Sequence, residues 1–335
     1  MNLYIVSNRL GVNIYNSQVK PFAMNPLSKG DVFLLNKNYF ISNGNYLSIF
    51  SLLKMIAFKS DISKIYIRDP FDFLIIRFFL SRISDAKLIY DFRGISSEEL
   101  ALKKRSLWKI NIMKKIESYI YKRADSICTV SNQLRNYLNE RFGERHINVF
   151  PCLYSGSAVE NDSRNEFSFC YVGGLSAWQS FDKVVNAFEV IYRMDERSSL
   201  TVCTNEVDLA TSMLSSSSIP NHAYTVKSLP HEEVIKELSK HKYGFLLRDD
   251  NIVNKTSSPI KYFEYLSAGV IPILTPYVGD YSSFRAGIVI GRDISDDYSN
   301  FFNNNAASTV CYEEFEYHSF ERYISNHPMN KSVAI

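Results

Sequence analysis

Two short stretches carry residue types that can hold a diphosphate and a ribose. The first is Val172-Gly173-Gly174-Leu175-Ser176, at the end of a β-rich run and ahead of an apparent helix. Glycines at a strand end let the backbone approach a ligand closely, and the free N–H groups of the following helix start favour an anion. Taken alone, a glycine pair after a strand is more often a tight connection. The second stretch runs from Ser257 to Ile273, SSPIKYFEYLSAGVIPI. It reads as a helix capped by Ser257 or Ser258, with Pro259 in the first turn and Gly269 at its end. Lys261 and Glu264, three apart, share one face near the positive end of the helix dipole. A lysine there is favourable beside an anion, and a carboxylate there can accept two ribose hydroxyls. The same pair can also be a surface ion pair worth little.

A third group lies earlier. Lys87-Leu88-Ile89-Tyr90-Asp91-Phe92-Arg93-Gly94 is a strand entering a glycine turn, and Asp91 and Arg93, two apart, point to one face. They can meet a ligand there or simply pair with each other.

These residues need a scaffold, and 335 residues are enough for two α/β domains, each with its own core. Short apolar runs at 3–7, 32–36, 64–68, 87–92, 126–130 and 148–150 alternate with helical patterns at 46–59, 70–83, 97–123 and 131–142. A polar break, Glu160 to Glu166, separates a second series, with strands expected at 167–172, 199–203, 223–227, 243–248, 270–274 and 287–290. Helices are expected between them near 180–195, 206–217, 231–241 and 257–268. The expected fold is α/β, two parallel sheets in series, in domains 1–150 and 165–310. Residues 311–335 are expected to form a helix and tail that pack back toward the first domain.

Five dispersed cysteines without ligand spacing read as reduced core residues, and a net charge of +3 is too small to argue for nucleic acid as the main partner, so none is expected. The start, MNLYIVS, has a strand pattern and not that of a signal peptide, so a cytoplasmic location is expected. No stretch approaches the roughly 20 apolar residues of a membrane span.

Together, YVGGLSAWQSFD, the strand GFLLRDD and SSPIKYFEYLSAGVIPI resemble the family-4 glycosyltransferases, in particular the branch that builds bacterial polysaccharides and O-antigens. The resemblance covers most of 85–290. It implies the two-domain GT-B fold, a nucleotide diphosphate sugar as co-substrate with no cofactor or metal, and a retaining transfer. Glu264 would hold the donor ribose, while Arg248, Lys261 and the Gly173-Gly174 amides would meet the phosphates, with Ser258 also in the donor site. Arg248, Lys261 and Glu264 are the catalytic candidates, and Asp91 and Arg93 the acceptor ones. The sequence departs from the family pattern in two places. Thr256 replaces the first of the usual glutamate pair, and Leu175 and Gln179 occupy a loop that usually carries Arg or Lys.

Residues 103–123 hold eight basic residues and one acid, Glu117, with Trp108, Ile112, Ile116, Tyr119 and Ile120 on the other face. Such a helix can be a core helix with a solvated basic side. It can equally contact anionic lipid, at the inner face of the plasma membrane, where a polyprenyl-diphosphate-linked saccharide acceptor would be met. Two other readings use the same fold: a nucleotide-sugar 2-epimerase, disfavoured because the six histidines fall mostly in loops or helix ends, and a non-catalytic nucleotide-sugar-binding partner, kept open by Thr256. A nicotinamide dehydrogenase fits poorly, since no GxGxxG follows the first strand.

Overall fold

A computed structural model of the chain describes residues 2–6, 15, 18–25, 29–35, 45–47, 54, 62–83, 85–154, 156–159, 161, 164–290, 307–318, 322–323 and 327–329. The chain divides into two compact units, Met1–Ser155 with Phe320–Ile335, and Gly156–Ser319.

The first unit is built on a seven-stranded sheet of order β3-β2-β1-β4-β5-β6-β7. Its strands are β1 Asn2–Val6, β2 Gly30–Leu35, β3 Asn45–Leu47, β4 Lys64–Ile67, β5 Lys87–Phe92, β6 Ser126–Thr129 and β7 Asn148–Val149. Every pairing is parallel. Helices cover the sheet, so its central strands are apolar without alternation, and Ile65, Tyr66 and Ile67 are all buried. The helices are α1 Lys20–Met24, α2 Pro70–Ile83, α3 Ser96–Leu102, α4 Leu107–Arg123 and α5 Asn132–Phe142. Ser131 caps α5 by accepting the Leu134 N–H at 3.0 Å.

The second unit repeats the plan with order β10-β9-β8-β11-β12-β13, again all parallel. Here β8 is Asn165–Val172, β9 Ser199–Cys203, β10 Tyr224–Lys227, β11 His241–Leu246, β12 Ile271–Leu274 and β13 Ile288–Val289. The helices are α6 Phe181–Met194, α7 Val207–Ser215, α8 His231–Leu238, α9 Ile252–Lys255, α10 Lys261–Ser267 and α11 Ala307–Tyr317. Both sheets start in the middle and wind outward in both directions. The order reverses between β1 and β4 and between β8 and β11, and at such a switch point neighbouring loops part at the carboxyl ends of the strands.

Three expectations are corrected. The helical pattern at 46–59 begins as strand β3, while 48–53 and 55–59 lie outside the described residues. The single helix expected over 97–123 is two, α3 and α4, because Lys104 takes a left-handed conformation with φ 51°. Finally, neither Ser257 nor Ser258 caps α10. Its N-cap is Ile260, the Ser257 hydroxyl bonds the Asn254 carbonyl at 2.7 Å, and Ser258 Oγ bonds the Tyr281 hydroxyl at 2.5 Å.

Helix α11 belongs to the second unit. It packs on α10, and its Tyr312 hydroxyl bonds Arg164 and the Val159 carbonyl. The described tail residues, 322–323 and 327–329, belong to the first unit. There Lys64 Nζ donates to the Pro328 carbonyl at 2.8 Å. All five cysteines are free and buried.

Candidate functional site

The two strands that flank the switch of the second sheet deliver its chemistry. Strand β8 runs on into Gly173 with φ +131°, a region that side-chain-bearing residues rarely adopt. A Cβ at Gly173 would collide with the Lys261 ammonium, so the glycine is what lets the lysine lie across the turn. Strand β11 runs on into Arg248, which is buried.

Helix α10 carries Lys261 and Glu264 and is fixed by its aromatic residues. The Tyr265 hydroxyl donates to the Phe245 carbonyl at 3.0 Å and accepts the Val172 N–H at 3.3 Å, which joins α10 to the ends of β8 and β11. Gly244 makes room for that ring, since a Cβ there would lie 2.8 Å from it. Tyr262 stacks on Tyr281 at 4.4 Å and donates to the Ala286 carbonyl at 2.8 Å. Tyr262, Phe263 and Tyr265 thus enter the core, and Lys261 is left against the glycine turn.

Arg248 and Lys261 converge on one neutral atom. Arg248 Nη1 donates to Gln179 Oε1 at 2.8 Å and to the Trp178 carbonyl at 2.9 Å, and Lys261 Nζ donates to the same Oε1 at 2.6 Å. Among the described residues neither cation forms an ion pair. Part of the Lys261 side chain is exposed, yet its ammonium is enclosed over the Tyr171 ring, 5.1 Å from the centroid. Loss of water, then the Arg248 charge, pull its pKa down to about 7; Glu264 opposes both without cancelling them. Arg248 is also shifted downward, by burial.

The turn is already satisfied in part. The Leu175 N–H donates to Glu206 Oε2 at 2.6 Å, so an exposed carboxylate occupies an amide that could serve an anion. Thr256, at the position of the absent glutamate, is buried and returns its hydroxyl to the Ile252 carbonyl at 2.8 Å. Gln179, Tyr171 and Glu206 were not among the sequence candidates. Only Gln179 had drawn notice, as a departure in the loop. Asp249 accepts from Ser180 at 2.9 Å and Lys183 at 2.9 Å, while Asp250 pairs with Lys255. Among the described residues no cluster of His, Cys, Asp or Glu is placed to hold a metal ion.

In the first unit Asp91 and Arg93 do meet, at 2.5 Å, and they do so inside a larger cluster. Asp91 Oδ2 also receives Arg68 Nε at 3.0 Å and the Tyr66 hydroxyl. Burial pushes the Asp91 carboxyl up, but Arg93 and Arg68 outweigh it and hold the pKa at about 2. His327, packed against Tyr66, is driven down to about 3 by burial and stays neutral.

Comparison with solved structures places this architecture. TarM superposes with a TM-score of 0.65 at 12% identity, over 82% of this chain and 54% of TarM. The pneumococcal O-GlcNAc transferase GtfA, solved with UDP and GlcNAc, gives 0.61 at 12% identity, over 82% and 57%. An alpha-glucosyltransferase in complex with UDP gives 0.62 at 14% identity, over 98% of this chain and 96% of its own. The fold is shared with GT-B glycosyltransferases. The chain spans little more than half the length of TarM and GtfA and nearly the whole of the alpha-glucosyltransferase. No protein-family model and no curated protein sequence matches it.

The lowered Lys261 pKa makes a stability prediction. Between about pH 7 and its unfolded value near 10.5, the unfolded chain binds the proton that the folded chain lacks. In that window stability therefore rises with pH. Lys261→Met should be more stable than the parent at pH 6–7, with the gap closing toward pH 10 in urea unfolding. A gap independent of pH would mean that the ammonium is not held in a costly environment.

Proposed function

We propose that the chain is a glycosyltransferase that takes a sugar from a nucleotide diphosphate donor held by the second unit. The observation that carries this reading is the convergence of Arg248 and Lys261, without a carboxylate partner, at the Gly173 turn. A diphosphate supplies the charge that the neutral Gln179 oxygen lacks. The GT-B fold supports the same reading, as do the UDP complexes of GtfA and the alpha-glucosyltransferase.

In this mechanism the Gly173 and Gly174 backbone, Arg248 and Lys261 hold the two phosphates, and Glu264 accepts the ribose hydroxyls. As the bond between the sugar and the β-phosphate breaks, negative charge grows on the leaving diphosphate. Arg248, already in place, and Lys261, protonated as the diphosphate binds, stabilise that charge. Glu206 releases the Leu175 amide as the donor enters. The finer assignments follow the family-4 resemblance: transfer with retention, a saccharide acceptor carried by a polyprenyl diphosphate, and a place in cell-surface polysaccharide synthesis.

A surface of the first unit supports contact with an anionic membrane. On α4, Leu107 is 77% and Trp108 62% exposed. Glu117, the one acid of the segment, is turned inward, accepting the Ser97 N–H at 2.8 Å and its hydroxyl at 2.6 Å. The exposed face of α4 therefore carries only basic charge around its apolar residues. Helix α2 packs beside it and exposes Phe71, Ile75 and Phe78. No described helix is long and apolar enough to cross a membrane.

Calorimetry with UDP, GDP, ADP and dTDP tests the donor site. One of them should bind, and Glu264→Ala should weaken it by about 10–100-fold, the value of hydrogen bonds to a charged group. Binding by none, or equal binding by the variant, would remove the donor assignment. The membrane contact is tested by sedimentation with phosphatidylglycerol-containing and with pure phosphatidylcholine vesicles. Binding should require the anionic lipid, weaken with salt, and fall at least tenfold in Lys114→Glu/Lys115→Glu, since each basic residue near the surface contributes about 1 kcal/mol. Equal binding to neutral vesicles, or binding to duplex DNA and not to lipid, would exclude it.

A further inference from the structure

The two cations of the second unit share an atom that can be taken away from them. Gln179 Oε1 accepts from Arg248 Nη1 at 2.8 Å and from Lys261 Nζ at 2.6 Å. Among the described residues these are the only hydrogen bonds of that side chain, so its amide is held by nothing but the two charges it faces. An amide oxygen has no formal charge and leaves both cations unneutralised, whereas an ionised phosphate oxygen is attracted by each of them.

The geometry makes the two occupants exclusive. Nη1 and Nζ are joined through Oε1, while the Tyr171 ring and Gly173 lie against the lysine nitrogen elsewhere. An oxygen that bonds both cations at once therefore takes the place of Oε1.

The backbone around Gln179 is pinned, and its side chain is not. The Gln179 N–H donates to the Ser176 carbonyl at 2.7 Å, and Arg248 holds the Trp178 carbonyl at 2.9 Å. Ser180, buried in a left-handed conformation with φ 50°, donates its hydroxyl to Asp249 at 2.9 Å. Gln179 itself is half-buried, so its amide can turn out to water about its own χ angles while the loop keeps its course. The Leu175 amide is occupied in the same manner, by Glu206 Oε2 at 2.6 Å. The groups that would meet an anion are thus engaged by oxygens of the protein's own side chains.

We propose that the Gln179 amide competes with the donor for Arg248 and Lys261, and that a diphosphate oxygen displaces it. The proposal rests on the donor reading and adds to it a group whose withdrawal sets the affinity of the site. Gln179 then opposes donor binding, although it lies beside two donor-binding cations.

Calorimetry with UDP, GDP, ADP, dTDP and inorganic pyrophosphate on the wild type, Gln179→Ala and Gln179→Glu tests it. Gln179→Ala removes the competitor and should tighten binding by about fivefold or more, the opposite of deleting a residue that contacts the ligand. Gln179→Glu supplies, at the same reach, the carboxylate that both cations lack. It should weaken binding by about tenfold or more and raise the melting temperature by about 2 °C or more. A nucleotide that binds the wild type but binds Gln179→Ala no better, or binds Gln179→Glu equally well, would overturn the competition and leave the donor site standing. A lower melting temperature in Gln179→Glu would overturn it too, since residue 179 would then not answer the two charges. If neither nucleotide nor pyrophosphate binds the wild type or Gln179→Ala, the donor reading fails and this inference with it. Pyrophosphate binding that follows the expected order of variants, without any nucleotide binding, would support the competition at an anion site and remove the nucleotide reading.

Discussion

Two positive charges held against one neutral amide oxygen repel each other, and burial makes the repulsion stronger than it would be in water. Arg248 and Lys261 are in that position. Folding alone gains nothing from it, because moving either ion into the protein forfeits hydration that no ion pair among the described residues returns. The arrangement persists because neighbouring contacts enforce it. The Tyr265 hydroxyl ties α10 to the ends of β8 and β11, Gly244 admits the ring, and Gly173 leaves no Cβ in the lysine's way. The core of the second unit thus sustains a local charge imbalance that a diphosphate would relieve.

The first unit shows the opposite electrostatic solution on the same sheet plan. At the end of β5 a carboxylate is buried too, but Arg68, Arg93 and Tyr66 surround it, and its pKa is held at about 2. Charge there is compensated, in contrast to Arg248 and Lys261 in the second unit.

Much of this architecture was legible in the sequence because parallel strands buried on both faces leave uninterrupted apolar runs, and Gly269 and Pro259 bracket a helix. The chemistry was legible where it is local, as in Lys261-Tyr262-Phe263-Glu264, which combines site and anchoring residues in one turn. It was not legible where distant segments converge. Gln179, eighty-two residues from Lys261, reads as a polar loop residue until the cations are seen to share it. Glu117 seemed to interrupt a basic face, and it is in fact the residue that pins α4 to α3. The break between those helices rests on one left-handed residue, Lys104, for which helical spacing gives no warning.

On the proposed donor reading, Lys261 waits, largely uncharged above neutral pH, for the negative charge of a diphosphate. Proton linkage measures this directly, through calorimetric titration of the bound nucleoside diphosphate at pH 8 in buffers of different ionisation enthalpy. With a free-protein pKa of about 7, binding should take up about one proton per nucleotide, and Lys261→Ala should abolish that uptake while Glu264→Ala preserves it. Binding without proton uptake, or uptake that survives in Lys261→Ala, would contradict the account.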